Sequence, residues 1–257
     1  PATRFIKQIV RQVQTLIDKG YAYLIEGDPS TSQAGGYYFD IAKFTDYGKL
    51  SRRTAAQADD AVSRIDENVK KRSKGDFCLW KFSKPGEPSW KAPFGAGRPG
   101  WHIEDTAISE HYFGPQYDLH GGGLDLKFPH HEAEIAQQEA ASGKKPFVKI
   151  WMHVGLLTIH GEKMSKSLDN FITIKDFLKT HPPEVLRFIV ASHHYRSPVD
   201  FTDALAAQAL SALATIGEFL AKLDLAAKQK KETATVHFAL RGHEERFTQA
   251  MDDDINT

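Results

Sequence analysis

The residues best suited to chemistry form a short basic segment, Lys163-Met164-Ser165-Lys166-Ser167, which follows Gly161. Lysine carries a compact positive charge on a flexible stem, so its ammonium group can follow phosphate charge that moves during a reaction. A single lysine in a turn is more often a solvated surface residue. The complete pentapeptide favours a polyphosphate-binding loop in which Lys163 and Lys166 stabilise negative charge.

A second candidate site lies in Phe128-Pro129-His130-His131-Glu132-Ala133-Glu134. The segment predicts the start of a helix that runs to about Ser142, because proline suits a first turn and acidic residues suit the positive end of the helix dipole. His130 and Glu134 lie four residues apart and therefore share one helix face, where an imidazole and a carboxylate can bind one metal ion. Taken alone, such a pair is more often a surface His–Glu contact.

A third candidate site follows the predicted strand Tyr117-Asp118-Leu119-His120, which we expect to end in a turn at Gly121-Gly122-Gly123. A glycine turn at the carboxyl end of a parallel strand lets a ligand approach the backbone. Asp125 adds a carboxylate that can accept ribose hydroxyls. His153, in the predicted buried strand Lys149–Val154, is either a satisfied buried imidazole or a group that faces adenine or phosphates. Both interpretations stay open.

The elements that must position these residues alternate between helices and strands. Apolar residues at helical spacing predict a helix over residues 3–19 that ends at Gly20. Two β-rich runs, at residues 21–25 and 37–44, predict a hairpin with a long tip. Residues 54–72 are polar and compatible with a helix, and the basic stretch at its end is more typical of a solvated face than of an RNA contact.

The residue composition of the chain changes at Asp76, where a polar stretch gives way to an apolar run. Residues 77–82 predict a compact buried strand in which Cys78 is packed rather than reactive. The glycines and prolines of residues 85–100 predict a rigid loop with no core element, and aromatic residues on such a loop, Trp90 and Trp101, usually line a pocket. Trp101 opens a segment that becomes a helix through Ser109.

The last part of the chain is predominantly helical. Residues 174–180 and 184–192 predict two helices, and the second starts at Pro182-Pro183. A long Ala/Leu-rich helix over 202–225 and a final helix over 237–251 predict part of a helical bundle. The intervening His193-His194 pair is more typical of capping than of catalysis.

Composition narrows the class of protein. The 257 residues carry 33 basic and 33 acidic side chains, so no overall field indicates a nucleic-acid partner, although a local basic face would be sufficient. The single cysteine excludes an internal disulfide framework and agrees with a reducing cytoplasm. No apolar run approaches the roughly 20 residues of a membrane span, and no signal peptide is recognisable. We expect a cytoplasmic protein with no membrane partner, and a monomer.

Several motifs in one order give the chain a specific resemblance over nearly its whole length. It resembles the cysteinyl-tRNA synthetases, a family of class I aminoacyl-tRNA synthetases. The segments that carry the resemblance are Gly97-Arg98-Pro99-Gly100-Trp101-His102-Ile103-Glu104, His120-Gly121-Gly122-Gly123 with Asp125, Phe128-Pro129-His130-His131-Glu132 with Glu134-Ile135-Ala136-Gln137, and the lysine segment.

The resemblance implies an α/β fold class with four regions. Residues 1–75 would be an α+β connective insertion, and 76–160 the second half of a Rossmann-type parallel sheet. Residues 161–200 would hold the signature loop and the stem-contact region. Residues 201–257 would begin a helical anticodon-binding bundle.

The same resemblance implies functions for individual residues. Lys163 and Lys166 would stabilise the pyrophosphate leaving group, and His120, Gly122, Asp125, His153 and Lys166 would contact the nucleotide. Trp101 and His131 would contact the substrate amino acid. Asp105, His130 and Glu134 would bind a zinc ion that distinguishes cysteine from serine, because soft sulfur binds zinc strongly and a hydroxyl does not. The implied partners are ATP with Mg²⁺, L-cysteine and cysteine tRNA.

Two departures from the family pattern bear on these expectations. Asp105 stands where the family usually has cysteine, so zinc either persists in a harder site or is weakened or lost. The family's His-x-Gly-His motif, the first half of the sheet and another zinc-ligand cysteine are absent. The simplest interpretation is that these residues are part of a longer enzyme and are inactive alone.

Two other functions remain open. The related cysteine-activating ligase of mycothiol synthesis shares the His–Glu motif, but the helical tail and the lysine segment favour the synthetase. A non-catalytic tRNA-binding paralogue would account for the missing His-x-Gly-His motif. A nicotinamide oxidoreductase and a serine or cysteine hydrolase are poorly supported, since neither GxGxxG nor Gly-x-Ser-x-Gly occurs in a fitting context.

Overall fold

The structure is a computed structural model that describes residues 1–27, 35–53, 70–164, 170–228 and 234–256. The chain divides into two compact units, residues 1–152 and residues 153–257. The boundaries predicted near residues 75, 160 and 200 are not tested by this division and stay predictions. The predicted helix over 54–72 and most of the lysine segment lie outside the described residues.

In its described residues, the first unit contains three α-helices and six strands. The helices are α1 (Ile6–Asp18), α2 (Trp101–Phe113) and α3 (Glu132–Ser142). The strands are β1 (Ala22–Ile25), β2 (Gly36–Phe39), β3 (Phe77–Phe82), β4 (Gly97–Pro99), β5 (Tyr117–Gly123) and β6 (Val148–Val154), which continues into the second unit. Strands β1 to β4 form an antiparallel sheet in chain order, and β5 pairs with β6.

The main core of this unit lies between the four-stranded sheet and the helices. Its side chains come from the apolar face of α1, from β2 and the loop that follows it, from β3, and from the facing sides of α2 and α3: Ile9, Val13, Leu16, Phe39, Ile41, Phe44, Tyr47, Phe77, Leu79, Trp80, Ile103, Ala107, Ala133, Ala136 and Ala140. The alanines of α3 let that helix pack closely. Hydrophobic burial of this set is the main force that holds the helices on the sheet.

A buried polar network ties the three helices together. Thr106 Oγ1 on α2 donates to Gln12 Oε1 on α1 at 2.8 Å, and Gln12 Nε2 donates to Gln138 on α3. Gln137 Nε2 on α3 donates to Thr106 Oγ1 at 2.7 Å and to the carbonyl of His102 at 2.6 Å. Because unpaired buried amides are costly, the network fixes the relative positions of the helices that carry the candidate site.

Four local predictions are corrected. β4 lies inside the predicted loop 85–100, because Gly97–Pro99 pair with β3. The regular part of the predicted helix begins at Glu132 rather than Phe128, whose φ of −142° is extended, as the residue before a proline prefers. The glycines at 121–123 belong to β5, because strand pairing with β6 continues beyond His120. β6 is not wholly buried, since Ile150 and Val154 are exposed on this two-stranded pair.

The second unit combines a small sheet with helices. Strands β7 (Leu157–Ile159), β8 (Glu162–Lys163) and β9 (Val199–Phe201) form a sheet in which β7 lies between an antiparallel β8 and a parallel β9. The helices are α4 (Ile174–Phe177), α5 (Pro183–Ala191), α6 (Asp203–Lys228) and α7 (Ala234–Asp252). The core of the unit joins β7, β9, α4, α5 and the start of α6 through Ile159, Phe177, Val185, Ile189, Phe201, Ala206 and Ala209. Together with the first unit, this mixture of helices with parallel and antiparallel pairs confirms the α/β class.

Helix α6 leaves many apolar side chains exposed: Leu210, Ile216, Phe219, Leu220, Leu223 and Leu225. By length and composition alone the helix could cross a membrane, which corrects the expectation that no apolar run approaches that length. A single helix of this kind is weak evidence for a membrane protein.

Candidate active site

The candidate site begins where α2 starts against β3. The backbone N–H of Gly100 donates to the carbonyl of Leu79 at 2.8 Å. A Cβ at residue 100 would lie 1.8 Å from the carbonyl oxygen of Cys78, so this approach requires glycine. The contact places the start of α2, which carries His102 in its first turn and Asp105 just after that turn, directly beside the sheet.

The centre of the site is a cluster of one imidazole and two carboxylates. Nε2 of His130 lies 2.9 Å from Oδ2 of Asp105 and 2.9 Å from Oε1 of Glu134. Glu134 is buried, and within the described residues neither of its oxygens makes a hydrogen bond of regular geometry. A buried carboxylate is costly unless positive charge lies beside it, and here that charge comes from the protonated His130 ring or from a metal ion that takes the place of its proton.

The donor set fits a divalent metal ion. One ligand atom from each of Asp105, His130 and Glu134 lies within 4.8 Å of the others. Zinc accepts imidazole nitrogen and carboxylate oxygen, and zinc sites that bind a substrate keep three protein ligands and one open position. Three residues that held a metal ion in this way would leave a position for a substrate atom.

A second histidine, His102, contacts the ring of His130. Nδ1 of His102 lies 2.6 Å from Nδ1 of His130. Burial, together with the nearby charge of His130, lowers the pKa of His102 to about 3, so its ring is neutral and accepts the Nδ1–H of His130. Burial alone would lower the pKa of His130, but the Asp105 and Glu134 carboxylates beside its Nε2 outweigh burial and raise that pKa to about 9. Burial raises the pKa of Glu134, although His130 opposes the shift.

The other side of Glu134 faces a second group of aromatic rings. Oε2 of Glu134 lies 3.7 Å from Nε2 of His120. The rings of His120 and His131 are 4.8 Å apart, and each lies within 5.0 Å of the Trp151 ring. His120, His131 and Glu134 also hold ligand atoms within 4.8 Å of one another, so Glu134 is shared by two possible ligand sets.

Gly122 determines how closely β5 approaches this group. A Cβ at residue 122 would lie 2.6 Å from Cε1 of His131, which is almost fully buried. The glycine thus admits the imidazole against the strand. Gly122 therefore allows close packing within a strand and does not form the turn expected from the sequence.

The structure brings seven of the predicted site residues together: Trp101, Asp105, His120, Gly122, His130, His131 and Glu134. The ring of Trp101 is 60% exposed and lies 4.7 Å from that of His130, at the mouth of the cluster. Asp125 is exposed, on the turn Leu124–Leu126, and is not among the residues of the cluster.

The remaining predicted residues belong to the second unit. His153 is buried on β6, and Lys163 is exposed on β8. Lys166 lies outside the described residues.

Sequence reasoning assigned no function to two residues of the site, His102 and Trp151. His102 lies three residues before Asp105 on α2, so helix spacing could have placed both on one face. Trp151 reaches the histidines through the pairing of β5 with β6, which no local pattern specifies.

Comparison with known proteins identifies the family. Residues 1–211 match the tRNA synthetases class I (C) catalytic domain. The chain belongs to this family. It is 46% identical over 258 residues to a cysteine–tRNA ligase of Hahella chejuensis, with coverage of 100% of this chain and 52% of the relative. It is 49% identical over 258 residues to a cysteine–tRNA ligase of Syntrophotalea carbinolica, with coverage of 100% and 51%.

This class I (C) synthetase chain spans about half the length of the curated relatives it matches. Among solved structures it is similar to the ternary LeuRS–tRNA–LeuAMS complex of Agrobacterium radiobacter K84, with a TM-score of 0.39 and 16% identity. That similarity covers 53% of this chain and 21% of the other.

Proposed function

We propose that the protein acts as a cysteine–tRNA ligase in the cytoplasm, as a monomer. It would activate L-cysteine with ATP and Mg²⁺ to cysteinyl-adenylate, and then transfer cysteine to the 3′ end of cysteine tRNA. The family match and the names of the relatives support this activity. The chain spans about half of the relatives' length, so the complete reaction is proposed from the family and not from this site alone.

The observation that carries the proposal is the cluster of Asp105, His130 and Glu134 beside the exposed ring of Trp101. These three residues would hold a zinc ion. When bound, the ion supplies a soft acid that selects a thiolate over a hydroxyl. Trp101 would cover the amino acid, and the buried His131 would line its pocket.

The reaction needs no covalent enzyme nucleophile. A carboxylate oxygen of cysteine attacks the α-phosphorus of ATP, and pyrophosphate leaves with the electrons of the broken P–O bond. A hydroxyl of the terminal tRNA ribose then attacks the cysteinyl carbonyl, and AMP leaves. Lys163 and Lys166 would stabilise the charge that develops on the phosphates, while His120, Gly122, Asp125 and His153 would contact the nucleotide.

The test is ATP–pyrophosphate exchange with cysteine, with serine as the control amino acid and zinc content measured on the same sample. It is run on the 257-residue chain, and on that chain together with any upstream coding sequence. Cysteine-dependent exchange in either form, followed by charging of cysteine tRNA, supports the proposal. Equal exchange with serine, or none in both forms, overturns it. Ligation of cysteine to an amino-sugar without tRNA charging would favour the mycothiol-pathway activity.

A further inference from the structure

A carboxylate in the second unit holds the turn that precedes the lysine segment. Oδ1 of Asp200, on β9, accepts the hydroxyl hydrogen of Thr158 at 2.8 Å and the backbone N–H of Gly161 at 2.9 Å. Thr158 and Asp200 are direct partners in the parallel pairing of β7 with β9. These bonds lower the pKa of Asp200, and nearby His160 adds to the shift, so the carboxylate is ionised at neutral pH.

The turn itself has an uncommon backbone. Ile159 pairs with Glu162, so His160 and Gly161 form a two-residue hairpin loop between β7 and β8. Both residues have positive φ, 53° and 76°. A loop of this type requires positive φ at both positions, and for a residue such as His160 that conformation is unfavourable. A partner for the Gly161 N–H therefore helps to determine whether this turn persists.

The hairpin leads directly into the lysine segment. Lys163 lies opposite Thr158 in the β7–β8 register. The N–H of Met164 is directed to the carbonyl of Leu157 at 3.4 Å, and the Met164 side chain packs on the second core. Asn170 Nδ2 donates to the carbonyl of Lys163 at 3.2 Å, which adds a contact to the first residue of the segment.

From these contacts we propose that Asp200 is a positioning residue for Lys163, the first residue of the lysine segment, through Thr158 and the His160–Gly161 turn. The inference rests on the proposed function, because it assigns Lys163 and its neighbours to the phosphates of ATP. Asp200 would not touch the substrate. It would keep β8 in register so that the Lys163 ammonium group meets the phosphates, and a displacement of about 1 Å in such a group can cost roughly a hundred-fold in rate.

The experiment compares Asp200→Ala with Asp200→Asn in cysteine-dependent pyrophosphate exchange by the complete enzyme. We expect Asp200→Ala to lower kcat about ten-fold or more with little change in the KM for cysteine. Asp200→Asn retains an amide oxygen that accepts both bonds, so its kcat should stay within about three-fold of the unsubstituted protein. Asp224→Ala, at an exposed carboxylate of α6, is the matched control and should leave kcat unchanged.

A second readout is independent of activity. Hydrogen exchange of the Gly161 amide should be faster in Asp200→Ala and near normal in Asp200→Asn, because only the first variant loses the acceptor. Thr158→Val should have a smaller effect than Asp200→Ala and should add little to it in the double variant, since the two residues act through one contact. If Asp200→Ala melts early, Thr158→Val, with Thr158→Ser as its conservative partner, carries the same test.

Two results would overturn the inference: an unchanged kcat in Asp200→Ala, or equal loss in Asp200→Ala and Asp200→Asn with Gly161 still protected in both. Absence of exchange in the unsubstituted enzyme would instead contradict the proposed function. In that case the Gly161 measurement alone would still decide whether Asp200 holds the turn.

Discussion

Nδ1 of His102 lies 2.6 Å from Nδ1 of His130, and the carbonyl of His102 accepts a hydrogen bond from Gln137 on α3, the helix that begins just after His130. The two bonds together fix the orientation of the His130 ring. Its Nε2 is thereby directed at the two carboxylates of the candidate metal site. A neutral histidine in this position determines which ring nitrogen of its neighbour is available to a metal.

His102→Ala should therefore weaken zinc binding without removing a ligand atom. Loss of an outer partner of a metal-bound histidine typically costs 10- to 100-fold in affinity, and we expect a loss in that range. Competition with a chromogenic chelator measures it. The exposed His111→Ala on the same helix is the control, and equal zinc affinity in the two variants would show that His102 does not orient His130.

Asp105→Asn should also weaken zinc binding, because the substitution removes a negatively charged oxygen ligand. Asp105→Cys should strengthen it, since a thiolate is a softer and stronger zinc ligand. The same chelator competition applies, with Glu104→Gln as the neighbouring control. Identical affinities for the Asp, Asn and Cys forms would place residue 105 outside the metal site.

Gly122→Ala should destabilise the fold by about 1–3 kcal/mol, the usual cost of overpacking a buried contact. Its new methyl group would lie 2.6 Å from the buried His131 ring. Gly121→Ala is a matched control on the same strand, because a Cβ there meets its nearest neighbour, the carbonyl oxygen of Met152, at an ordinary 3.7 Å. Urea unfolding gives both free energies, and equal values would contradict the packing argument.

The end of α7 should loosen in acid. Arg196 and Tyr195 donate to the carboxylate of Asp254, and these bonds, the Arg196 bond foremost, lower its pKa from 3.8 to about 2. A carboxylate with a depressed folded-state pKa stabilises the fold above its unfolded pKa, and that contribution is lost as pH falls from about 4 through 2. A carbon-detected NMR titration of Asp254 gives the midpoint directly. Arg196→Ala should move the midpoint upward, and an unmoved midpoint would show that the ion pair is not formed in solution.

Lys166→Ala should lower the rate of adenylate formation more than ten-fold in the complete enzyme while the fold is retained, because a charge that meets the leaving pyrophosphate is lost. Single-turnover kinetics measures the step, and circular dichroism checks the fold. Lys222→Ala, at an exposed lysine of α6, is the control. An unaltered rate in Lys166→Ala would remove that lysine from the reaction.

Local sequence patterns were sufficient to predict most of the helices and strands. The amphipathic spacing of α1, the apolar run of β3 and the Pro182-Pro183 start of α5 each depend on neighbours in sequence, and these three predictions are confirmed. The incorrect predictions concern segments whose conformation is determined by contacts with residues distant in sequence. β4 exists because β3 offers it a pairing partner, and Gly121–Gly123 remain extended because β6 lies beside them.

Some features of the candidate site also follow from local sequence, and others depend on long-range contacts. The sequence by itself determined the family resemblance and the proximity of His130 to Glu134, because residues four apart lie close together wherever a helical turn continues, as it does across the irregular turn before α3. Only the tertiary structure decided that Asp105 and His102 of α2, and His120 of β5, surround that pair. Those positions depend on the packing of α2 on α3 and on the pairing of β5 with β6, which are long-range contacts that no local spacing encodes.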